Sequence, residues 1–256
     1  MDRVERPDHG NSAADADGCS RLLGIVVQIE KAVDNATAVH LLQQGAAALG
    51  ADAAVFTSFV RDDVTLASYR YLLACDPVWA LQYAQNGWCL DDPWLRYALY
   101  NAAPIRAEEL PPLNDRERWV VDGAAHFGFV STLIVPVPSP AAQSRVAVLC
   151  LGSAHRQHFV GEGYGRIRLL ARSLAMELGD WMHRQVRADL MAQARITEDD
   201  LVLLWHQQQG HNSKVIATLM KTEAKTIDCR FQRLSLKLGA ANRRAALRVA
   251  EIYGLI

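Results

Sequence analysis

Four apolar residues near the C-terminus, Ile227, Phe231, Leu234 and Leu238, narrow what this chain can become. Their spacing returns to one side of an α-helix and cannot line one face of a strand. The expectation is a helix over Thr226 to Leu238 with one buried stripe, which leaves Asp228, Cys229, Gln232, Arg233, Ser235 and Lys237 facing outward. A shorter helix, Lys214 to Met220, precedes it with Ile216, Ala217 and Leu219, and a polar turn from Lys221 to Lys225 joins the two. Gly210-His211-Asn212-Ser213 sets a helix-ending glycine against helix-starting residues. Upstream, Ile196, Thr197, Leu201, Leu204 and Trp205 outline an earlier helix; downstream, Gly239 and Asn242-Arg243 lead into a last one ending near Leu255. Two helices around a tight turn, the second with a polar and basic free face, predict a small all-α helix-turn-helix domain.

Charge supports that reading. From Leu201 onward nine Lys/Arg stand against three Asp/Glu, a net of +6, whereas the whole chain nets -1 and the remainder therefore -7. A basic end on an acidic chain suits a DNA-reading unit, because neutralising phosphates supplies much of DNA affinity. Lys214, Lys225, Thr226, Arg230, Arg233 and Lys237 are the candidates for DNA contact, and Asp228 and Gln232 for base reading. A helical domain with a merely solvated basic face is the plainer alternative.

Thr197, Leu204, Gly210, Lys214, Ile216-Ala217, Thr226-Ile227, Lys237-Leu238-Gly239 and Asn242-Arg243 together resemble the DNA-binding domain of LuxR-type bacterial transcription regulators. The resemblance spans the whole segment and implies a four-helix unit whose third helix enters the major groove. Three positions depart from the family pattern: Arg230 where His is frequent, Glu223 where a small polar cap is usual, and Asp228 where a basic residue is frequent. A carboxylate there repels phosphate but can accept from a cytosine amino group.

The 256-residue length allows one larger domain before the helical one. The domains read as a disordered tail over 1–18, a sensing and dimerising domain over 19–186, a linker over 187–195 and the helix-turn-helix over 196–256. The tail lacks apolar periodicity and the apolar core of a signal peptide, and no stretch approaches a membrane span, so a cytoplasmic protein without membrane partners is expected. Five scattered cysteines (Cys19, Cys75, Cys89, Cys150 and Cys229) without CxxC spacing read as free thiols. The histidines form no HxxxH pair, and neither a phosphate loop nor a nucleophile motif occurs, so no metal, cofactor or enzyme activity is expected.

The larger domain reads as α+β, an antiparallel sheet sandwiched by helices. Helices are expected over Leu22 to Val33, Ala36 to Ala48, Val78 to Gln85, Asp92 to Asn101, Asp115 to His126 and Gly161 to Gln185. Ala53 to Val60 and Val64 to Tyr71 suggest a hairpin, Val130 to Val137 and Arg145 to Leu151 the central strands, and Pro104 to Asn114 a loop. Between hairpin and central strands the chain is dense in aromatic rings: Trp79, Tyr83, Trp88 and Trp94. Trp79 and Tyr83 share a helix face, and with the Asp92 carboxylate they supply an indole N–H, a phenol and an acceptor, the ingredients of a small-molecule pocket. The same residues also fit a ring cluster in an ordinary core, with Asp92 capping a helix ahead of Pro93.

The pattern Trp79, Tyr83, Asp92, Pro93, with Pro104, Phe127-Gly128 and Pro136, resembles the acyl-homoserine-lactone-binding domain of LuxR-type quorum-sensing receptors. That resemblance, over about Leu22 to Val186, implies that Trp79 N–H bonds the lactone carbonyl. It also implies that Asp92 accepts from the ligand amide and that Tyr83 packs on the acyl chain. Cys75 stands where a tyrosine usually helps hold the acyl carbonyl, Ala107 where a second tryptophan closes the pocket, and Thr132 where glycine is usual. Cys75, Trp94 and Thr132 join Trp79, Tyr83 and Asp92 as ligand-site candidates. The implied protein is a homodimer on a palindromic double-stranded DNA operator, responding to an N-acyl-homoserine lactone or similar signal; the departures leave open a ligand-independent regulator or one for a non-lactone molecule.

Overall fold

The computed structural model describes residues 10–60, 68–138 and 145–256, with side chains from residue 18 onward. The chain divides into two compact units, one ending at Trp181 and the other running from Met182 to Ile256.

The first unit opens with helices α1 (Gly10–Ile29) and α2 (Asn35–Ala48). Helix α1 starts well before the expected end of the disordered tail at residue 18, while residues 1–9 lie outside the described residues. Asp34 ends the intervening turn, its carboxylate accepting from Thr37 N at 2.8 Å and Thr37 Oγ1 at 2.7 Å, a helix cap supplied by the side chain. Strands β1 (Ala53–Val60), β2 (Arg70–Ala74), β3 (Ile105–Arg106), β4 (Ser131–Val137) and β5 (Arg145–Ser153) form one sheet in the order β2-β1-β5-β4-β3. The β1–β2, β3–β4 and β4–β5 pairs are antiparallel.

Within the described residues the hairpin's second strand, expected over Val64 to Tyr71, starts at Arg70 and runs on to Ala74. Ser58 faces Arg70 and Ala54 faces Ala74. Leu72 is fully buried and Leu73 packs on the opposite face, so this register places both leucines against protein. Asp76 and Pro77 end the strand by starting helix α3 (Pro77–Gln85). Residues 61–67 lie outside the described residues.

Alternation splits the sheet's apolar residues between two layers. Phe56, Leu133, Leu149 and Leu151 are fully buried on one face. There α2 and the long helix α6 (Tyr164–Gln193) approach closely: a Cβ on Gly45 would meet Leu174 at 3.0 Å, and one on Gly179 would meet Val137 at 2.7 Å. Trp181, wholly buried, donates its indole N–H to Ala32 O at 2.8 Å. On the other face Ile134, Val148 and Cys150 pack with residues of α3, α4 (Pro93–Ala98) and α5 (Asp115–Ala125), including Trp79, Trp94, Leu95, Val120 and Ala124. A sheet between helical layers is the architecture the α+β reading expects.

The segment read as a linker, residues 187–195, is no free tether. Without Gly or Pro to stop it, α6 runs on to Gln193, and Leu190, Met191 and Ala194 pack on the core of the second unit. That unit is helical: α7 (Glu198–Gln208), α8 (Ser213–Leu219), α9 (Ala224–Lys237) and α10 (Arg243–Ile252). Each of α7, α8 and α10 begins at a side-chain cap, Thr197, Asn212 and Asn242. Thr197 and Asp200 form a reciprocal capping box. Glu223, by contrast, makes no side-chain bond at the start of α9.

Candidate functional site

Two proline-started helices build the site. Asp76 accepts from Val78 N at 2.9 Å, Pro77 opens α3, and Trp79 and Tyr83 follow one turn apart on its inner side. Asp92 does the same for α4: Oδ1 accepts from Trp94 N at 2.7 Å and from Leu95 N at 3.3 Å. Its second oxygen accepts from Tyr83 Oη at 2.7 Å, which ties the two helices together. The Trp79 ring lies 5.4 Å from both Tyr83 and Trp88 and 5.6 Å from Phe127, centroid to centroid. Gly123 admits Trp88, since a Cβ there would come within 2.5 Å of its ring. The two readings of this stretch therefore coexist: Asp92 is a helix cap and the rings are a cluster, yet they do not close on one another.

Between them and the sheet lies a cavity of about 240 Å³. Its wall takes Trp79, Tyr83, Asp92, Trp94 and Leu95 from the helices, Val55, Thr57, Tyr69, Tyr71 and Leu73 from β1, β2 and the residue before β2, and Phe129, Cys150 and Cys89 from elsewhere. The wall is mostly apolar with a few convergent polar groups, the usual make-up of a small-molecule site.

Electrostatics single out the Asp92 carboxyl. Burial pushes it above its ordinary range, against the hydrogen bonds from Tyr83, Trp94 N and Leu95 N that hold it down. No cation bridges to it among the described residues. Burial, and after it the Asp92 charge, pushes the Tyr83 phenol well above its usual range, so this hydroxyl is a donor to the carboxylate. By contrast, Glu117 on α5, likewise buried, is held below the usual range, because the Arg96 guanidinium (2.7 and 3.0 Å) and Leu113 N (2.8 Å) outweigh its desolvation.

Of the six ligand-site candidates, Trp79, Tyr83, Asp92 and Trp94 face one chamber, and Cys75 and Thr132 do not line it. Thr132 is buried with its hydroxyl donated to Phe129 O at 3.2 Å. Cys75 packs at the edge of the core, and burial together with Asp76 pushes its thiol up to about 12. The strand residues Val55, Thr57, Tyr69, Tyr71 and Leu73 were missed. Their every-other spacing signals one face of a hairpin, but which face meets the helices is not written in the spacing. The described residues hold no group of three or more His, Cys, Asp or Glu side chains fit for a metal. His206 and His211 do meet, Nδ1 to Nδ1, at 3.0 Å.

In the second unit the stripe is inside: Ile227, Phe231, Leu234 and Leu238 are all buried. Ser235, expected outside, is buried as well, because it borders Leu234 on a stripe wider than one residue. Lys214, Lys225, Thr226, Gln232 and Arg233 are exposed. Three further DNA candidates have partners within the unit. Lys237 Nζ bonds Asp200 at 2.6 Å and Arg195 O at 2.9 Å, Arg230 lies 3.5 Å from Asp199, and Asp228 accepts from Ser213 Oγ. Arg243, at the start of α10, binds Ser213 Oγ (3.0 Å) and His211 O (3.1 Å) and stacks 3.5 Å over the Phe231 ring, so one side chain locks the turn between α7 and α8 onto α9.

Known proteins share this fold. The chain is 23% identical over 178 residues to the transcriptional activator protein VanR of Vibrio anguillarum, a match covering 70% of this chain and 73% of that one. Among solved structures, Escherichia coli SdiA superposes with a TM-score of 0.69 at 14% identity, over 93% of this chain and 98% of its own. CepR2 of Burkholderia cenocepacia, described as an N-acylhomoserine lactone-dependent LuxR family transcription factor, superposes with a TM-score of 0.53 at 17% identity, over 66% of this chain and 98% of its own. At these identities the two structures speak to fold alone. The autoinducer binding domain family matches residues 34–177, which includes both helices of the site, and the chain belongs to that family, among LuxR-type quorum-sensing regulators.

Proposed function

We propose that the cavity under α3 and α4 takes an N-acyl-homoserine lactone or a close amide relative. On this reading the second unit is a LuxR-type helix-turn-helix that docks on DNA through α8 and α9, as a cytoplasmic homodimer on a palindromic operator. The observation that carries the ligand half is the Asp92 carboxylate, buried at an apolar chamber with no cation bridging to it among the described residues. A ligand N–H adds a further donor to those of Tyr83, Trp94 N and Leu95 N, and a hydrogen bond to a charged acceptor contributes about 1.5–3 kcal/mol. Each buried methylene of a tail adds ~0.8 kcal/mol, so chain length dominates affinity. Occupancy stabilises the fold by mass action and enlarges the DNA-competent population.

The test of the ligand half is the melting temperature of the full chain against N-butanoyl- to N-dodecanoyl-homoserine lactones. A rise with at least one member is expected, and no shift with any would overturn it. A non-lactone ligand is the second reading, favoured by the absence of Cys75 and Thr132 from the cavity wall. It predicts a shift with an acyl ester such as octanoyl-glycerol, the ligand seen in a complex of SdiA, and none with the lactones.

Binding should also depend on pH in one direction. A donor from the ligand bonds ionised Asp92 more strongly than neutral Asp92, so binding releases a proton. Because burial raises this carboxyl, affinity should fall as pH drops from neutrality through the raised value, before ordinary carboxylates titrate. Calorimetry in buffers of different ionisation heat reads the proton release; pH-independent affinity over that range would exclude an ionised Asp92 as acceptor.

For the DNA half, the exposed cations Lys214, Lys225 and Arg233 set the expectation. Log affinity for promoter DNA should fall linearly with log salt, and Lys225→Ala should lower the slope by about 0.9 per copy. A slope near zero in the parent protein would refute DNA binding through this face.

A further inference from the structure

Trp94 carries a polar group that the fold leaves unused. It follows the Asp92 cap on α4 and lines the cavity, with its side chain almost wholly buried. Its backbone N–H is satisfied by Asp92 Oδ1, but its indole Nε1 has no hydrogen-bond partner and does not reach solvent. The ring is fixed at 5.9 Å from Phe129, a neighbour that offers no acceptor in its side chain. An orphaned buried donor is costly, and such groups in a finished fold call for an explanation.

On the same wall, two positions apart along the chain, stand an acceptor with no cation (Asp92) and a donor with no acceptor (Trp94) among the described residues. An amide carries both complements, N–H and C=O, on adjacent atoms. Among the lining residues only Trp94 has a buried side-chain donor left without a partner: the Tyr83 hydroxyl is committed to Asp92, and the other hydroxyls of the wall, on Thr57, Tyr69 and Tyr71, belong to β1, β2 and the residue before β2. We infer that Trp94 Nε1 is the donor that holds the acyl carbonyl of the ligand, and so a specificity-determining residue that selects acyl compounds over alkyl ones. This rests on the ligand reading above and adds to it the partner of one particular oxygen.

The experiment compares the full-length wild-type protein with two variants, Trp94→Phe and a protein carrying benzothienylalanine at position 94. The second keeps the bicyclic ring and replaces its N–H by sulfur, which separates loss of the donor from loss of ring volume. Dissociation constants are measured by calorimetry for whichever of the N-acyl-homoserine lactones and octanoyl-glycerol stabilises the wild type. Both variants should bind that probe about five- to tenfold more weakly, the worth of one neutral hydrogen bond. If the benzothienyl protein binds as tightly as the wild type, the N–H holds nothing and the inference is overturned, even if Trp94→Phe is weak through its smaller ring. If no probe binds the wild type, the ligand reading itself fails and takes this one with it, so the two failures are distinguishable.

Discussion

Replacing Asp92 by alanine should abolish the ligand-induced rise in melting temperature and destabilise the first unit by about 1.5–5 kcal/mol even without ligand. The figure has two parts. The carboxylate caps α4 through Trp94 N and Leu95 N, and losing a cap of this kind costs about 0.5–2 kcal/mol. It also accepts the Tyr83 hydroxyl, which truncation would leave as a buried unsatisfied donor, at roughly 1–3 kcal/mol. Asp92→Asn separates structure from binding. Its amide oxygen can keep the cap and its NH₂ can donate to Tyr83 Oη, so the fold should survive. The face turned to the ligand, however, loses its charged acceptor, and affinity should fall by more than about tenfold. An Asp92→Asn protein that binds the same lactone as tightly as the parent would remove Asp92 from the ligand site and leave it a helix cap only.

Phe231→Ala should cost about 3–5 kcal/mol in the second unit, the range for truncating a buried aromatic ring. Phe231 lies in the middle of the α9 stripe and packs in one cluster with Leu204, Ile216, Leu234 and Leu238. The Arg243 guanidinium rests on its ring, and burial already depresses that group's pKa. Without the ring, Arg243 loses a cation–π partner while its bonds to Ser213 and His211 O remain, so the turn ahead of α8 loosens together with α9. Calorimetry should show the second unit melting at lower temperature, with promoter affinity lost and the lactone response of the first unit retained. Full DNA affinity in a Phe231→Ala protein would show that α9 need not be packed on this core to work.

Local rules carried much of the chain. The caps at Asp34, Asp92, Thr197, Asn212 and Asn242, the proline-started α3 and α4, and the Ile227–Leu238 stripe all follow from residue type and spacing, because caps and helix faces are decided within a few residues. The same locality explains where the reading slipped. The absence of Gly and Pro permits helix from Arg187 to Gln193 but does not require it; Leu190 and Met191 favour it by packing, partly buried, on the second core. The return strand of the hairpin moved because pairing with β1, not propensity, sets register.

By itself the sequence determined the helices, their caps, the α+β pattern and the residue types of a sensor joined to a basic helical domain. Only the tertiary structure decided which polar groups remain free for function. It joined Tyr83 to Asp92, closed Thr132 onto Phe129 and moved Cys75 off the cavity wall, while Trp94 was left with a donor and no acceptor. It also tied Lys237 and Asp228 to partners within the second unit and left Lys225 and Arg233 exposed. The physical reason is that a hydrogen bond or ion pair is satisfied by whatever lies within about 3 Å, and proximity across a fold is not encoded in spacing along the chain.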